Sequence, residues 1–205
     1  MKNSRRAFLK KSAITMGGIT VIPRHVLGKG FVAPSDKFSI GVIGAGTQSR
    51  WLASGFIKLP ETQIIAASEV NSKKMEEFQI NFNKSVKEFK NQKNQLDTYL
   101  DYKDLIQRDD IDGVIIATPD HWHAIMTINS IKLGKHVYCE KPLSHTIDEG
   151  RAMVSASRKF KKILQTGSMQ RSSHNFRHAV DLIRNGYLGK IEKAIVNVGN
   201  PSAKC

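Results

Sequence analysis

Residues 38–46 read FSIGVIGAG, an apolar strand that runs directly into two glycines, Gly44 and Gly46. In such a turn the first glycine lets the chain reverse tightly, and the second lets the backbone approach a pyrophosphate. The helix predicted to follow would present unpaired N–H groups to the negative charge. Ser49 stands where a third glycine is usual, and it is small enough for close helix packing. The stretch predicts a dinucleotide-binding turn; the alternative is a glycine turn in a sheet that binds something else.

Strands and helices alternate beyond this turn. Short apolar runs predict strands, and apolar residues at steps of three or four predict helices. The predicted strands are 38–43, 63–68, 113–118, 136–140 and 163–166, and the predicted helices are 49–58, 72–90, 121–133 and one that begins at the capping box 146–149. In helix 72–90 the apolar stripe consists of Met75, Phe78, Phe82, Val86 and Phe89. This rhythm predicts an α/β fold, a doubly wound parallel sheet of the Rossmann type over residues 36–166.

The last part of the chain, residues 167–205, follows a different pattern. A helix is predicted over 173–185, a turn over 186–189, and a strand over 191–198. That strand has no partner in the remaining sequence, and an unpaired apolar edge is an aggregation hazard. We therefore interpret residues 167–205 as the beginning of an incomplete α+β second domain, and we expect the chain to be truncated.

An acidic residue, Glu69, ends the predicted second strand about 23 residues after Gly46. A carboxylate at this place accepts hydrogen bonds from both ribose hydroxyls of a dinucleotide. It would also repel a 2′-phosphate. The position therefore favours NAD over NADP.

Residues 118–123 read TPDHWH and follow the predicted strand 113–118, at the edge where open parallel sheets bind their ligands. Two histidines near an acid raise the question of a metal site, but His121 and His123 diverge at a helix start. We predict no metal and assign these residues to cofactor contact and helix capping. The candidates are Thr118, Pro119, Asp120, His121, Trp122 and His123.

Lys141 follows the predicted strand 136–140, between Glu140 and Pro142. The proline biases the lysine to extended backbone geometry, which fixes the direction of its side chain. An amine at the ligand edge can pass a proton to or from the substrate oxygen during hydride transfer. We predict that Lys141 is catalytic; the alternative is a charged strand end at the surface.

The net charge of +14 is unevenly distributed. Residues 1–36 hold seven lysines and arginines and one aspartate, and many of the other lysines lie between 73 and 93, on the wet face of a predicted helix. This distribution does not form the basic patch that nucleic acid requires. We predict no nucleic-acid partner.

The amino-terminal residues 4–10 read SRRAFLK, and a charge-free stretch follows from 12 to 22. This pattern predicts a twin-arginine signal and linker over residues 1–35, because the apolar stretch is shorter than the about 20 residues that span a bilayer. We expect export by the twin-arginine machinery, as a periplasmic protein or one anchored by its uncleaved signal. The alternative is a basic amphipathic start to a cytoplasmic protein.

Four motifs together resemble the Gfo/Idh/MocA family of oxidoreductases: GVIGAG at 41–46, ATPDHWH at 117–123, GKHVYCEKPL at 134–143 and NGYLGKI at 185–191. The resemblance implies an NAD-dependent enzyme that acts on a sugar, a polyol or a derivative, with Lys141 as the catalytic lysine. It places Thr47, Gln48, Glu69, Glu140 and residues 120–123 against NAD. It also implies a homo-oligomer in the full-length form.

The chain departs from this family in its length. Members are usually about twice as long, and an aspartate and a histidine from their second domain complete the site; neither has a match here. Gln170 and Arg171 are the candidates for contact with substrate hydroxyls. Two alternatives stay open: a truncated nucleotide-binding protein without catalysis, and a glycosidase that uses bound NAD for transient oxidation. The branch with that glycosidase chemistry lacks the Glu-Lys-Pro signature, so the sequence favours a dehydrogenase.

Overall fold

The computed structural model describes residue 32 and residues 36–90 and 96–197. Apart from residue 32, the predicted twin-arginine signal and linker over residues 1–35 lies outside these residues, as does the last residue of the predicted strand 191–198. Within the described ranges, every helix is too short or too polar to cross a membrane.

Six strands and six helices form the described chain. The strands are β1 (Phe38–Ile43), β2 (Thr62–Ser68), β3 (Asp97–Tyr99), β4 (Gly113–Ile116), β5 (His136–Glu140) and β6 (Leu164–Gly167). The helices are α1 (Thr47–Ile57), α2 (Ser72–Lys90), α3 (Tyr102–Ile106), α4 (His123–Lys132), α5 (Ile147–Phe160) and α6 (His174–Arg184). Two 3₁₀ turns, Asp120–Trp122 and Met169–Ser172, precede α4 and α6.

The strands form one sheet in the order β3-β2-β1-β4-β5-β6. β1 pairs in parallel with β2 on one side and with β4 on the other, where Ile43 lies opposite Ile116. β2 pairs in parallel with β3, and β4 with β5. The order reverses between β1 and β4, and this switch point is where open α/β sheets bind their ligands. The predicted doubly wound parallel sheet is confirmed.

Apolar layers cover the two faces of the sheet. Residues of α1 and α2 pack on one face in a cluster that includes Ile115, and residues of α3, α4 and α5 pack on the other in a cluster that includes Val114 and Ile116. Every residue of β4 is buried, as its continuous apolar sequence predicted. The stripe of α2 is buried through Val86, but Phe89 is exposed and lies beneath the amine of Lys58.

β3 and α3 are elements that the sequence pattern did not indicate. β3 has only three residues, and it carries no apolar run because it lies at the sheet edge. Its register comes from pairing with β2, where Ala66 lies opposite Asp97. Asp101 is the N-cap of α3, and its side chain accepts a hydrogen bond from the backbone N–H of Lys103. These elements depend on tertiary pairing and one cap, which leave little trace in sequence periodicity.

The described residues divide between 166 and 167 into two compact units. In the second unit, α6 is amphipathic, and its apolar residues Phe176, Val180 and Ile183 are exposed. The predicted strand 191–198 is wrong over the described residues 191–197, which form no strand. A strand needs a neighbour to satisfy its backbone groups, and the described part of the chain supplies none there.

Candidate functional site

The carboxyl ends of four adjacent strands form the candidate site. The glycine turn follows β1, Glu69 follows β2, the segment 117–122 follows β4, and Lys141 follows β5. The topology thus brings residues far apart in sequence to one edge of the sheet, at the switch point. Gln170 and Arg171 lie in the 3₁₀ turn Met169–Ser172 of the second unit, where both are exposed. Their substrate contact stays a prediction.

The two glycines after β1 have different physical roles. Gly44 has a φ of +90°, and a Cβ there would lie 2.8 Å from the carbonyl oxygen of Ala117. The fold itself therefore requires glycine at 44. Gly46 has an ordinary φ of −71°, and a Cβ there would meet no atom within 4 Å among the described residues. The open space in front of Gly46 would let a dinucleotide approach the backbone closely at this point.

Glu69 braces this turn. Its Oε2 accepts a 2.8 Å hydrogen bond from the backbone N–H of Ala45, and its Oε1 accepts a 3.0 Å bond from that of Asn71. Each carboxylate oxygen has a further lone pair, so Glu69 can still accept a hydroxyl. The carboxylate thus holds the turn and remains available to a ribose at the end of β2.

The amino end of α1 faces the same space. Gly46 is its N-cap, and in the described structure no side chain caps it and its first turn holds no acid. The hydroxyl of Ser49 is fully buried and has no hydrogen-bond partner among the described residues. Arg50 forms an ion pair with Glu77 of α2 and donates a 3.2 Å bond to Oγ1 of Thr47. The uncapped N–H groups at the start of α1 suit a negatively charged ligand.

Arg50 was missed by the sequence analysis. The glycine turn indicated where α1 begins, but the helix face toward which Arg50 points became visible only once α1 and α2 had packed together. The available signal was a basic residue in the first turn of a helix predicted to bind an anion.

Glu140 lies at the end of β5 and is only 4% exposed. Its Oε1 accepts a 3.0 Å bond from Nε2 of Gln48, and its Oε2 accepts a 3.1 Å bond from the backbone N–H of Lys141. Two residues predicted to contact the cofactor are therefore bonded to each other. Their arrangement links the start of α1 to the lysine-bearing loop, and direct contact of either with a cofactor stays a prediction.

His123 differs from its sequence interpretation because its ring is buried, with 1% of the residue exposed. Nδ1 lies 2.6 Å from the carbonyl oxygen of Pro142, and Nε2 lies 2.9 Å from that of Thr118. The ring thus has both nitrogens occupied by backbone and offers no surface to a ligand. Helix capping, which was predicted together with cofactor contact, also fails for His123, because no side chain caps α4 in the described structure.

The remaining candidates are accessible. Lys141 and Pro119 are exposed, His121 and Trp122 lie side by side with ring centroids 5.9 Å apart, and Asp120 is half-buried. Thr118 is half-buried, and its hydroxyl contacts Sδ of Met126 at 3.7 Å. Within the described ranges, no three His, Cys, Asp or Glu side chains come together as a metal site would require.

Comparison with known proteins gives consistent matches. The family model described as "Oxidoreductase family, NAD-binding Rossmann fold" matches residues 38–168. A glycosyl hydrolase family 109 protein of Shewanella pealeana is 29% identical over 93% of this chain and 45% of its own length. The uncharacterized oxidoreductase YrbE of Bacillus subtilis is 29% identical over 73% of this chain and 40% of its own length.

Among solved structures, myo-inositol 2-dehydrogenase from Lactobacillus plantarum superposes with a TM-score of 0.63 and 29% identity. The match covers 76% of this chain and 43% of that enzyme. The chain therefore spans less than half the length of these relatives. On the family match and the fold together, the chain belongs to the Gfo/Idh/MocA family of oxidoreductases, with its NAD-binding Rossmann fold.

Proposed function

We propose that this chain is the cofactor-binding part of an NAD-dependent oxidoreductase that acts on a sugar, a polyol or a derivative by hydride transfer. The observation that carries the proposal is the open space at Gly46, which lies between the uncapped start of α1 and Glu69, at the same sheet edge as Lys141. Bound NAD would supply the hydride acceptor. The residues of this chain would bind the cofactor and move the proton.

Glu69 supports NAD over NADP. Its carboxylate lies at the end of β2, held by the backbone N–H groups of Ala45 and Asn71. Because both bonds fix its position, it cannot swing away from a 2′-phosphate without losing them. A negative charge held there disfavours a second one, while the remaining lone pairs suit the two ribose hydroxyls.

Lys141 is the proposed proton carrier. Its backbone N–H is bonded to the buried carboxylate of Glu140, while its side chain is exposed at the ligand edge. The amine can therefore reach a substrate oxygen that lies over this edge, and take or give a proton as the carbon loses or gains hydride. Thr47, Thr118 and the exposed segment 119–122 would line the cofactor on the same side.

The substrate class rests on the similarity to a myo-inositol 2-dehydrogenase and on the family. Gln170 and Arg171 are proposed to contact substrate hydroxyls, since both side chains are polar and exposed. We also propose export by the twin-arginine route and a homo-oligomeric full-length form.

Binding is tested first, on this chain. NADH and NADPH are titrated by fluorescence, and we expect saturable NADH binding that exceeds NADPH binding at least about tenfold. Equal affinities would overturn the preference assigned to Glu69, and absence of binding to either nucleotide would overturn the proposal.

Catalysis is tested with the Lys141→Met variant of a version that includes the second domain. Turnover of inositols or sugars should fall by about two to four orders of magnitude, as expected for loss of a general acid or base, while NADH affinity stays nearly unchanged. If turnover and NADH affinity fell equally, Lys141 would not be the catalytic residue. NADH binding with no turnover of any polyol by the unsubstituted protein would favour a nucleotide-binding protein without catalysis.

A redox-assisted glycosidase is the second candidate, because relatives 29% identical carry the name glycosyl hydrolase family 109. Incubation with aryl glycosides and NAD separates the two functions. Release of the aryl group without net accumulation of NADH would identify the glycosidase, whereas NADH accumulation with free polyols would identify the dehydrogenase.

A further inference from the structure

His123 occupies an unusual position for a histidine beside a ligand edge. It is the first residue of α4, it is 1% exposed, and each ring nitrogen lies within 3 Å of a backbone carbonyl oxygen. One carbonyl belongs to Thr118, in the segment after β4. The other belongs to Pro142, in the loop after β5. The ring thus bridges two loops of the candidate site.

The direction of these bonds follows from the chemistry of the partners. Carbonyl oxygens accept and do not donate, so a hydrogen bond at either ring nitrogen requires an N–H there. A neutral imidazole carries an N–H on one nitrogen and an imidazolium carries one on each, so the ring donates to one of these carbonyls or to both. An amide side chain carries its donors on one nitrogen only, so it can satisfy one of the two carbonyls.

The bridge bears directly on Lys141. On one side, the N–H of Lys141 is fixed by Glu140, which is itself bonded to Gln48 of α1. On the other side, the carbonyl of the next residue, Pro142, is fixed by His123. The backbone around the lysine is therefore anchored at both ends. The direction of the exposed Lys141 side chain depends on these two anchors.

We propose that His123 is a positioning residue, whose buried ring lies between a carbonyl of the lysine loop and a carbonyl of the segment after β4, donates a hydrogen bond to them and never contacts cofactor or substrate. The inference rests on the proposed NAD-binding function. In it, the two loops form the surface under the nicotinamide, whereas the glycine turn and Glu69 hold the ADP-ribose part. Loss of the bridge should therefore weaken binding at the nicotinamide end alone.

The test compares two ligands on the same protein. NADH and ADP-ribose are titrated calorimetrically into the unsubstituted chain and into His123→Ala and His123→Gln. For His123→Ala we expect unchanged ADP-ribose affinity and an NADH affinity lowered about tenfold, the size expected for lost hydrogen bonds. His123→Gln, whose side-chain amide can still donate to one carbonyl, should have an NADH affinity between those of the unsubstituted chain and His123→Ala. An equal loss for both ligands, or no loss for either, would overturn the proposal.

A matched control is His136→Ala, at the other end of β5. His136 is half-buried, and its Nδ1 accepts a 3.1 Å bond from the backbone N–H of Ile163. It belongs to no part of the site, so its loss should lower stability without changing the ratio of NADH to ADP-ribose affinity. If the unsubstituted chain binds neither ligand, the proposed function fails first, and that outcome is distinct from a failure of the His123 role.

A second measurement covers the case in which the His123 variants do not fold. In the unsubstituted chain with ¹⁵N-labelled histidine, a ring N–H proton of His123 should be protected from exchange with water, because both ring nitrogens are buried against carbonyl oxygens. A ring proton that exchanges as fast as that of an exposed histidine would overturn the bridge.

Discussion

The side-chain amide of Gln48 donates a 3.0 Å hydrogen bond to Oε1 of Glu140, across 92 residues of sequence. Gln48 lies in the first turn of α1, which follows β1. Glu140 ends β5, which lies two strands from β1 in the sheet. The bond connects the helix that faces the cofactor space to the loop that carries the predicted catalytic lysine. Because Glu140 also accepts from the N–H of Lys141, one buried carboxylate holds both parts.

Replacing the carboxylate of Glu140 should weaken the connection between the start of α1 and the loop that carries Lys141. In Glu140→Gln, the amide group must oppose either Gln48 or the N–H of Lys141, both of which are donors. We expect a loss of about 1–3 kcal/mol in the free energy of unfolding, the cost of leaving a buried donor unpaired. Urea unfolding measures it. Gln48→Ala is the comparison, and adding it to Glu140→Gln should cost less than the sum of the two single changes; strict additivity would contradict the coupling.

Gly46→Ala should affect binding without affecting folding. A Cβ at Gly46 meets no described atom within 4 Å, and its φ of −71° is open to any residue. The melting temperature should therefore stay within a degree or two, while NADH affinity falls at least about tenfold because the methyl group enters the ligand space. Gly55→Ala, in the middle of α1 and equally free of contacts, is the control that should leave binding unchanged.

Gly44→Ala, in contrast, should lower the stability of the fold itself. Its Cβ would lie 2.8 Å from the carbonyl oxygen of Ala117, and its φ of +90° strains any L-residue. We expect a destabilisation of about 1–3 kcal/mol or more, visible as a lower urea midpoint before any ligand is added. A Gly44→Ala protein as stable as the parent would show that the turn can relax away from β4.

Glu69→Ala tests the double role of that side chain. Removing the carboxylate leaves the N–H groups of Ala45 and Asn71 without their partner, which should cost about 1 kcal/mol of stability. It also removes the charge that disfavours a 2′-phosphate, so the ratio of NADH to NADPH affinity should fall toward one. Retention of a strong NADH preference would assign cofactor selection to other residues.

Cys139 should be chemically inert in the folded chain. It is fully buried on β5, and burial raises the pKa of its thiol to about 11. The reactive thiolate is therefore roughly 0.1% of the thiol at pH 8, and the reagent cannot reach it. Iodoacetamide followed by peptide mapping should label Cys139 only in denaturant.

The raised pKa of Cys139 also makes the free energy of unfolding depend on pH. The unfolded thiol ionises near its ordinary value of 9.0 and the folded one near 11, so the contribution of the thiol is complete below pH 9 and decreases as the pH rises through 11. As the pH rises over this range, the parent should lose stability relative to Cys139→Ala. A constant difference would show that folding does not raise the pKa of this thiol, and rapid labelling of the native protein would show that β5 opens readily.

Much of the fold could be read from local pattern. The bounds predicted for α2 and β5 agree with the structure, and the capping box at the start of α5 is confirmed by the bonds between Thr146 and Glu149. These elements have strong signals: an apolar stripe, a continuous apolar run and a specific cap. β3 was missed because its three residues at a sheet edge have no periodicity of their own, and α3 was missed because its five residues are too few to show a helical period. The predicted strand at 191–198 was wrong over its described residues because apolar composition cannot supply a pairing partner.

The sequence by itself determined the class of the fold and the edge at which the site lies, because periodicity and glycine turns are local and a parallel sheet gathers its strand ends on one side. It also indicated Lys141 and Glu69 by their places after strands. Only the tertiary structure decided what each polar side chain contacts: Glu69 braces the glycine turn, Glu140 binds Gln48, and His123 lies buried between two loops. These partners are up to 92 residues apart, and hydrogen bonds depend on distances of a few tenths of an ångström, which only the packed sheet sets.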